Sequence, residues 1–507
     1  MNFRVIDYGN RVLNEIDHAK ASGAVRILFG LSDPHAAGAE YLRPLAHIKR
    51  FLERWLADPS FREAVQLDPQ AAIRPLDLSI DPQEIRSLWD AGFAATAEPS
   101  APIPLNVLRY RSFLLERRVQ QLEQIRKECE PVHPRFRLWW RRQVARAQTQ
   151  LSRFCLDSLI HVPFALELSV GCSGQCWFCS LNAPPLSASF PATRENLQLW
   201  RDILLALREI CGAATRHGFC YWATDPFDNP DYEKFIDEYR QIAGVPPKTT
   251  TALPLQNPAR THSFLEAARQ SGCLFNRFTI RTLAELRQLH DQFTPEELLF
   301  TELIIQNREG SQVKTRSGRA AAKGRPGQPA TSATPQGDVA IPGTTACVTG
   351  FLVNMVERSL RLVSPCEAND QHPLGYIEHA RAFFRDAQDF RGILGQWIDA
   401  SMRTSVDGGD RMAFRPDLAF TPLPQGFQLN SPHASLAINE TGTVQGLGRL
   451  VSEGRHTAAA IAGHLGREAG ADPAVVFHSL NAFLEQGILD EAIDPDISRF
   501  GNEQKES

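Results

Sequence analysis

A chain of 507 residues with a net charge of -4 and 43% hydrophobic residues has the composition of a globular, soluble protein, long enough for about three domains. The near-neutral charge argues against a nucleic-acid partner held through phosphates, and no apolar run is long enough to span a membrane. Residues 1–7 lack the apolar stretch of a signal peptide, so the ten cysteines are expected to be reduced thiols of a cytoplasmic protein, not a disulfide framework.

Residues 1–104 form an N-terminal region with one repeated device: Asp58-Pro59, Asp68-Pro69 and Asp81-Pro82 each precede a helical pattern. Asp accepts from the free amides of a first turn, and Pro at the first helical position gives up an amide that has no partner there. This predicts a small helical module with Trp55, Leu56, Phe61, Val65, Ile85, Leu88 and Trp89 as its core. Residues 105–160 read as long connecting helices. The first, 105–130, is ended by Pro131 and Pro134; the second, 136–154, is basic, with Arg141, Arg142 and Arg146 expected on a solvated face.

Between 161 and 420 the pattern changes. A short strand at 165–170 runs directly into Gly-Cys-Ser-Gly-Gln-Cys-Trp-Phe-Cys at 171–179, and helices then alternate with strand-like runs at 218–222, 249–253, 275–280 and 298–305. Such alternation predicts a parallel sheet, whose chemistry sits at the carboxyl ends of its strands, where this loop falls. Residues 308–343, rich in Ser, Gly, Ala, Thr and Pro, are expected to be a disordered insert. Two strand-like runs, 346–354 and 359–364, then make a hairpin, 346–366, that ends in Pro365-Cys366. Residues 427–493 read as a unit of their own: an alternating run at 435–439, then three short helices carrying Ile461, Leu465, Val476, Leu480, Phe483 and Leu484, in an order that resembles a winged helix. Residues 494–507 are a tail, of which 501–507 are expected to be disordered.

Cys172, Cys176 and Cys179 are the most informative residues. Thiolates at Cys-x3-Cys-x2-Cys spacing can hold three irons of a 4Fe-4S cluster, and no fourth cysteine lies close enough to close the cage. A zinc site or a plain electron-transfer cluster normally takes four protein ligands. The loop resembles that of the radical SAM enzymes, in which the open iron binds S-adenosylmethionine, and Phe178 before the third cysteine matches the same pattern. The resemblance implies an α/β fold with a partial (β/α)6 barrel and cofactor contacts at other strand ends. Ala223, Thr224 and Asp225 stand where many relatives carry Gly-Gly-Glu-Pro, although Asp225-Pro226 reads equally as one more helix start. Thr279 and Arg281 are weaker candidates for the cofactor, and Thr249 to Thr251 and Gln306 weaker still.

Longer motifs narrow the resemblance. Ala-Cys-Val-Thr-Gly-Phe-Leu-Val-Asn-Met at 346–355, Arg-Leu-Val-Ser-Pro-Cys at 361–366, His-Pro-Leu-Gly-Tyr at 372–376 and Tyr-Trp-Ala-Thr-Asp-Pro-Phe-Asp-Asn-Pro at 221–230 resemble the radical SAM epimerases that mature ribosomally made peptides of the proteusin type. The resemblance covers most of the chain, including the Asp-Pro module; the insert at 308–343 departs from it. It implies conversion of L- to D-residues in a precursor peptide: a 5′-deoxyadenosyl radical takes hydrogen from Cα and a cysteine thiol returns it. Cys366, at the carboxyl end of a predicted strand, is the first choice as donor and Cys347 the second. These two, with Cys273 or Cys220, also leave room for an auxiliary cluster and hence for a thioether or C–C cross-linking maturase; a non-catalytic, metal-stabilised peptide-binding protein is a second alternative. Cys129, Cys155, Cys211 and Cys220 read more simply as small buried hydrophobes. The unit at 427–493 is similar to PqqD-like recognition elements, which bind a leader peptide as an added strand. Its segment 472–486 carries His478 and Glu485 but no Lys or Arg, unlike a DNA-reading helix. The expected partners are the precursor peptide and a reducing electron donor such as flavodoxin or ferredoxin, with no nucleic acid and no membrane.

Overall fold

The computed structural model describes residues 3–28, 34–96, 101–273, 276–311, 314–322, 340–440 and 442–491. Helix makes up 50% of the described residues and strand 14%, a mixed α/β fold whose described strands close no barrel. No helix among the described residues is long and apolar enough to cross a membrane.

Two of the three Asp-Pro pairs start helices. Asp58 ends Ala39–Ala57 and caps Pro59–Leu67 by accepting the Phe61 amide at 3.3 Å, and Asp68 caps Pro69–Ile73 through the Ala71 amide at 3.0 Å. Asp81 instead accepts the Gln83 amide inside a turn, and the next helix begins only at Arg86–Trp89. Phe61, Val65 and Ile85 are buried as expected around Phe51, with Trp55, Leu88 and Trp89 partly buried at the rim. Asp58 is 1% exposed and also meets Arg54 at 2.9 Å and Arg287 at 3.0 Å. Burial alone would raise its carboxyl; the Arg287 hydrogen bond, the Phe61 amide and Arg54 together bring it below the ordinary value. Asp58→Ala removes a cap and leaves two guanidinium groups short of a partner, so it is expected to cost about 3 kcal/mol in denaturant unfolding.

The connection to the sheet is not one continuous helix. Leu105–Leu115 and Gln121–Glu128 are joined by a π-helical turn at Glu116–Gln120, in which buried Glu116 accepts the Leu28 amide at 2.8 Å. Pro134–Gln150 follows, and the expectation of a solvated basic face is corrected there. Arg141 pairs with Glu130 at the surface, but Arg142 and Arg146 are 2% and 8% exposed. Arg142 reaches Glu491 at 2.6 Å, while Arg146 donates to the Ser364 hydroxyl at 2.7 Å and the Pro365 carbonyl at 3.1 Å. The helix is caught between the main sheet and the C-terminal unit, so its basic residues answer protein groups instead of water.

Val162–Glu167 is buried at every residue, as a parallel strand covered on both faces must be. It pairs in parallel with Val348–Asn354 on one side and, through Ala165 and Phe219, with the 218–222 run on the other. Thr250–Thr251, Arg277–Ile280 and Glu302–Ile305 form a second parallel sheet in chain order. The two are tied where Thr250 donates to the Tyr221 hydroxyl at 2.9 Å. Ser359–Pro365 returns antiparallel to Val348–Asn354, and Tyr376–Phe383 adds a further antiparallel strand that polar Glu378, His379 and Arg381 hid from the sequence pattern.

The insert is partly ordered, which corrects the expectation of a wholly disordered loop. Lys314–Arg316 pairs in parallel with Ala340–Pro342, and Gly318–Ala322 is a short helix. The disorder expected across 312–313, 323–339 and 501–507, and Phe275 in a predicted strand, lie outside the described residues. Past Ala387–Ser401 a separate core begins. Ala419–Pro422, Phe427–Asn430 and Ser435–Ile438 make an antiparallel sheet, and Thr443–Ser452, Ala458–Ala469 and Pro473–Glu485 pack on it around Phe427, Leu447, Ile461 and Leu480. This sheet starts at Ala419, before the expected boundary at 427.

Four histidines, His161 and His290 buried and His217 and His379 partly buried, are held neutral. Burial lowers His161 and His379 to about 3 and His217 and His290 to about 4, against an ordinary value of 6.5. In the unfolded chain each takes up a proton near pH 6.5, so the unfolded state gains protons first as pH falls. Stability is therefore expected to be full above about pH 6.5 and to drop down to about pH 4, read as a falling urea midpoint. His379→Gln, which keeps a partner for Ser364 (2.6 Å) but cannot titrate there, should flatten that slope.

Candidate functional site

The cysteine loop is shaped by its backbone. Gly171 has φ +78°, and a Cβ there would stand 2.2 Å from the Pro185 carbonyl oxygen, so only glycine lets the chain fold back on 184–185. Cys172 donates its amide to the Pro184 carbonyl at 2.9 Å, and Ser169–Val170 pairs with Ala188–Ser189 to close the base. Gln175, at φ 42°, returns its side chain to the Cys172 carbonyl at 2.7 Å.

Cys172, Cys176 and Cys179 are all half-buried on this loop. A Cβ on Gly174 would lie 3.2 Å from the Cys172 sulfur and 3.7 Å from the Cys176 sulfur, so the missing side chain leaves a cradle between them. The Gly174 amide donates to Cys172 Sγ at 3.3 Å and the Ala183 amide to Cys179 Sγ at 3.4 Å, contacts that favour thiolate over thiol. Against them, burial pushes the thiols up, Cys172 to about 12 and Cys176 to about 11, so these sulfurs hold their protons at neutral pH. Among the described residues no three His, Cys, Asp or Glu side chains converge as ligands of one metal ion. The loop is thus not a closed mononuclear set. A cubane cluster asks something different, one thiolate for each of three irons, and Cys172, Cys176 and Cys179 are the residues of this loop that could supply them.

Several elements beyond the loop grip it. Asp228 accepts the Ser173 amide at 2.8 Å. Arg281, just past Arg277–Ile280, donates to the Gly174 carbonyl at 3.0 Å while Glu285 holds its Nε at 2.8 Å. Arg319 of the insert reaches the Cys176 and Ala183 carbonyls. Phe178 meets Trp177 edge-on at 5.4 Å, and Arg308 lies 4.9 Å from the centre of the Trp177 ring.

The other expected cofactor residues are dispersed along the strand ends. Ala223 donates its amide to Glu167 at 2.8 Å, and Thr224 accepts the Trp222 amide at 3.5 Å. Asp225 takes the Thr251 hydroxyl at 2.6 Å, the Phe227 amide at 3.0 Å and the Ala252 amide at 2.7 Å, and burial raises it to about 6. It caps the short helix Pro226–Asp228, so the helix-start reading of Asp225-Pro226 is realised. Thr279 is half-buried in register with Ile304.

The thiols outside the loop stand elsewhere than expected. Because Ser359–Pro365 runs antiparallel, its carboxyl end lies past the Val363–Gly350 pair, toward the amino end of Val162–Glu167; Cys366 does not share the strand end that carries the cysteine loop. Cys347 sits at that same far end, where its carbonyl accepts the Val162 amide at 2.8 Å. A short hydrogen-bonded path still joins Cys366 to the loop. The Cys366 amide donates to the Gly375 carbonyl at 3.0 Å, the Thr344 hydroxyl donates to the same carbonyl at 2.6 Å, and Thr345 shares a 2.7 Å bond with Ser180, next to Cys179. Burial pushes Cys366 up to about 12, with Arg146 opposing. Cys129, Cys155, Cys211 and Cys220 are buried, as small hydrophobes should be, and half-buried Cys273 places its sulfur 3.9 Å from the Pro247 carbonyl.

A curated protein of Sinorhizobium fredii, "Uncharacterized protein y4wI", is 35% identical over 466 residues, 90% of this chain and 89% of that protein. The chain belongs to the y4wI family. The match covers nearly the whole of both chains, so the likeness is not confined to one part of the chain. No family model and no solved structure matches the chain.

Two residues of this y4wI-family chain escaped the sequence reading. Glu167, 2% exposed at the end of the first strand, is raised by burial and held by Ala223, Asn354 at 3.4 Å and Arg361 at 3.3 Å. A charged residue closing an apolar strand directly before the loop was the available signal. Arg319 offered none, lying in a segment whose composition reads as disorder.

Proposed function

We propose that the chain is a radical SAM peptide epimerase, with a partial (β/α)6 barrel that binds a 4Fe-4S cluster and S-adenosylmethionine and a C-terminal winged-helix unit that takes the leader of a ribosomally made precursor. The observation that carries this reading is the loop itself: three half-buried thiols, a glycine cradle and two N–H···S contacts, directly after a buried parallel strand. Cys172, Cys176 and Cys179 would hold the cluster. When bound, cluster and S-adenosylmethionine supply reductive cleavage to a 5′-deoxyadenosyl radical that abstracts hydrogen from Cα.

The remaining work falls to the chain's own groups. Glu167 fixes the Ala223 amide, Asp225 binds the 225–227 turn to Thr251 and Ala252, and Arg281 holds the Gly174 carbonyl, so one set of contacts aligns the strand ends beneath the loop. Cys366, with Cys347 as the alternative, is the proposed hydrogen donor. Its strand ends away from the loop, and the turn through Gly375, Thr344 and Thr345 is what links it to Ser180. The thiyl radical left after hydrogen return takes one electron from the electron donor and one proton from solvent. The raised pKa of Cys366 keeps the atom on sulfur at neutral pH, the form that can return it to Cα. Ser435–Ile438 is an edge strand of the C-terminal sheet, open to an added peptide strand, and the helix Pro473–Glu485 carries no Lys or Arg to favour DNA. A cytoplasmic location and a flavodoxin- or ferredoxin-type electron donor complete the reading.

The test is turnover of precursor peptide by the reduced, cluster-loaded protein in D2O. The expected product gains mass only as deuterium at inverted Cα positions. A product lighter by two hydrogens would assign the chain to cross-linking with an auxiliary cluster, and no cofactor cleavage at all would reduce it to a peptide-binding scaffold.

A further inference from the structure

Two consecutive residues of the insert clasp the cysteine loop from outside. We propose that Gly318 and Arg319 form a strap that retains the cluster and fixes a positive charge beside it, with Arg319 a positioning residue for the three thiolates; this rests on the cluster reading above. The Arg319 amide donates to the Cys179 carbonyl at 2.9 Å, Nη1 to the Cys176 carbonyl at 2.9 Å and Nη2 to the Ala183 carbonyl at 2.6 Å. One residue therefore spans the arc that carries two of the thiols and the amide that meets Cys179 Sγ.

Gly318 explains how the strap comes so close. It has φ +51°, and a Cβ there would stand 2.2 Å from the Ser180 carbonyl oxygen and 2.9 Å from that of Cys179, so any side chain lifts the strap. Its amide donates to the Pro373 carbonyl at 2.8 Å, in the turn whose Gly375 carbonyl takes the Cys366 amide. The strap is thus pinned to the cysteine loop on one side and to the Cys366 turn on the other. Arg281 grips the opposite side of the loop at Gly174.

Two consequences follow from a guanidinium held in this way. A fixed cation beside a cluster favours the form with the extra electron. The planar fork also reaches two carbonyls at once, which a lysine ammonium on its flexible stem does not reproduce. Charge and clasp can therefore be separated by substitution.

The full-length protein, reconstituted anaerobically, is compared with Arg319→Ala, Arg319→Lys and Gly318→Val by EPR redox titration and by iron release to a chelator. Arg319→Ala is expected to lower the reduced-to-oxidised ratio at fixed potential about tenfold, about 59 mV for a one-electron couple, and to release iron about tenfold faster. Arg319→Lys should restore the potential but still release iron faster than the parent. Gly318→Val, with the charge retained and the strap lifted, should lose iron as the alanine variant does. Parental potential and parental iron release in Arg319→Ala overturn the proposal; should that variant fail to fold, parental iron release in Arg319→Lys overturns it equally. A parent that assembles no EPR-active cluster overturns the functional reading instead.

Discussion

Cys176→Ala, and likewise Cys172→Ala or Cys179→Ala, is expected to leave a folded protein that retains almost no cluster and forms 5′-deoxyadenosine at least about a thousandfold more slowly. The fold should tolerate the change because the loop is not shaped by its thiols. Gly171 turns the chain, Pro184 accepts the Cys172 amide, Asp228 holds Ser173 and Arg281 holds Gly174. All three side chains are half-buried, so losing a sulfur should cost only about 1 kcal/mol in unfolding. Iron and sulfide content, the visible absorbance of the reconstituted protein and 5′-deoxyadenosine formation are the measurements. Parental cofactor cleavage by any one of these variants would show that its thiol is no ligand.

Cys366→Ala is expected to separate the two halves of the reaction. On the proposed reading radical formation would need the loop and not Cys366, so 5′-deoxyadenosine should form at close to the parental rate, while D-residue formation drops below detection. The thiol is 1% exposed beside Arg146, and its removal should cost about 1 kcal/mol, too little to unfold the domain. Cys347→Ala is the control. Cys347 stands at the start of Val348–Asn354, packed with Ala147, Leu151 and Cys155 on the helical side. Continued inversion in Cys366→Ala together with its loss in Cys347→Ala would transfer the donor role.

The alternation of strand and helix after 161 was legible because a buried parallel strand needs an unbroken apolar run, and Val162–Glu167 and Val348–Asn354 supply one. The loop was legible because ligand spacing is local. Cys366 was misplaced although the chain held the information: so short a turn after Asn354 forces Ser359–Pro365 to reverse, and a reversed strand ends at the other edge of the sheet. The burial of Arg142 and Arg146 was out of reach, since it depends on Glu491, Ser364 and Pro365, hundreds of residues away in the chain. Arg319 was hidden for another reason. A segment poor in apolar residues reads as unstructured, yet hydrogen bonds to exposed carbonyls can hold it.

Pro134–Gln150 bears on how the proposed substrate would be addressed. From one face of the helix, Arg146 holds the end of the strand that leads to Cys366, Arg142 reaches Glu491, and Thr149 takes a bond from Arg415 at 2.9 Å, while the Arg142 carbonyl lies 2.5 Å from where a Cβ on Gly487 would stand. One helix thus touches both the C-terminal unit and the strand that leads to Cys366. A precursor tethered at Ser435–Ile438 would be measured out from a fixed point, so its reach along the peptide is set by contour length, and the enzyme would work as a ruler more than as a reader of the residues it inverts.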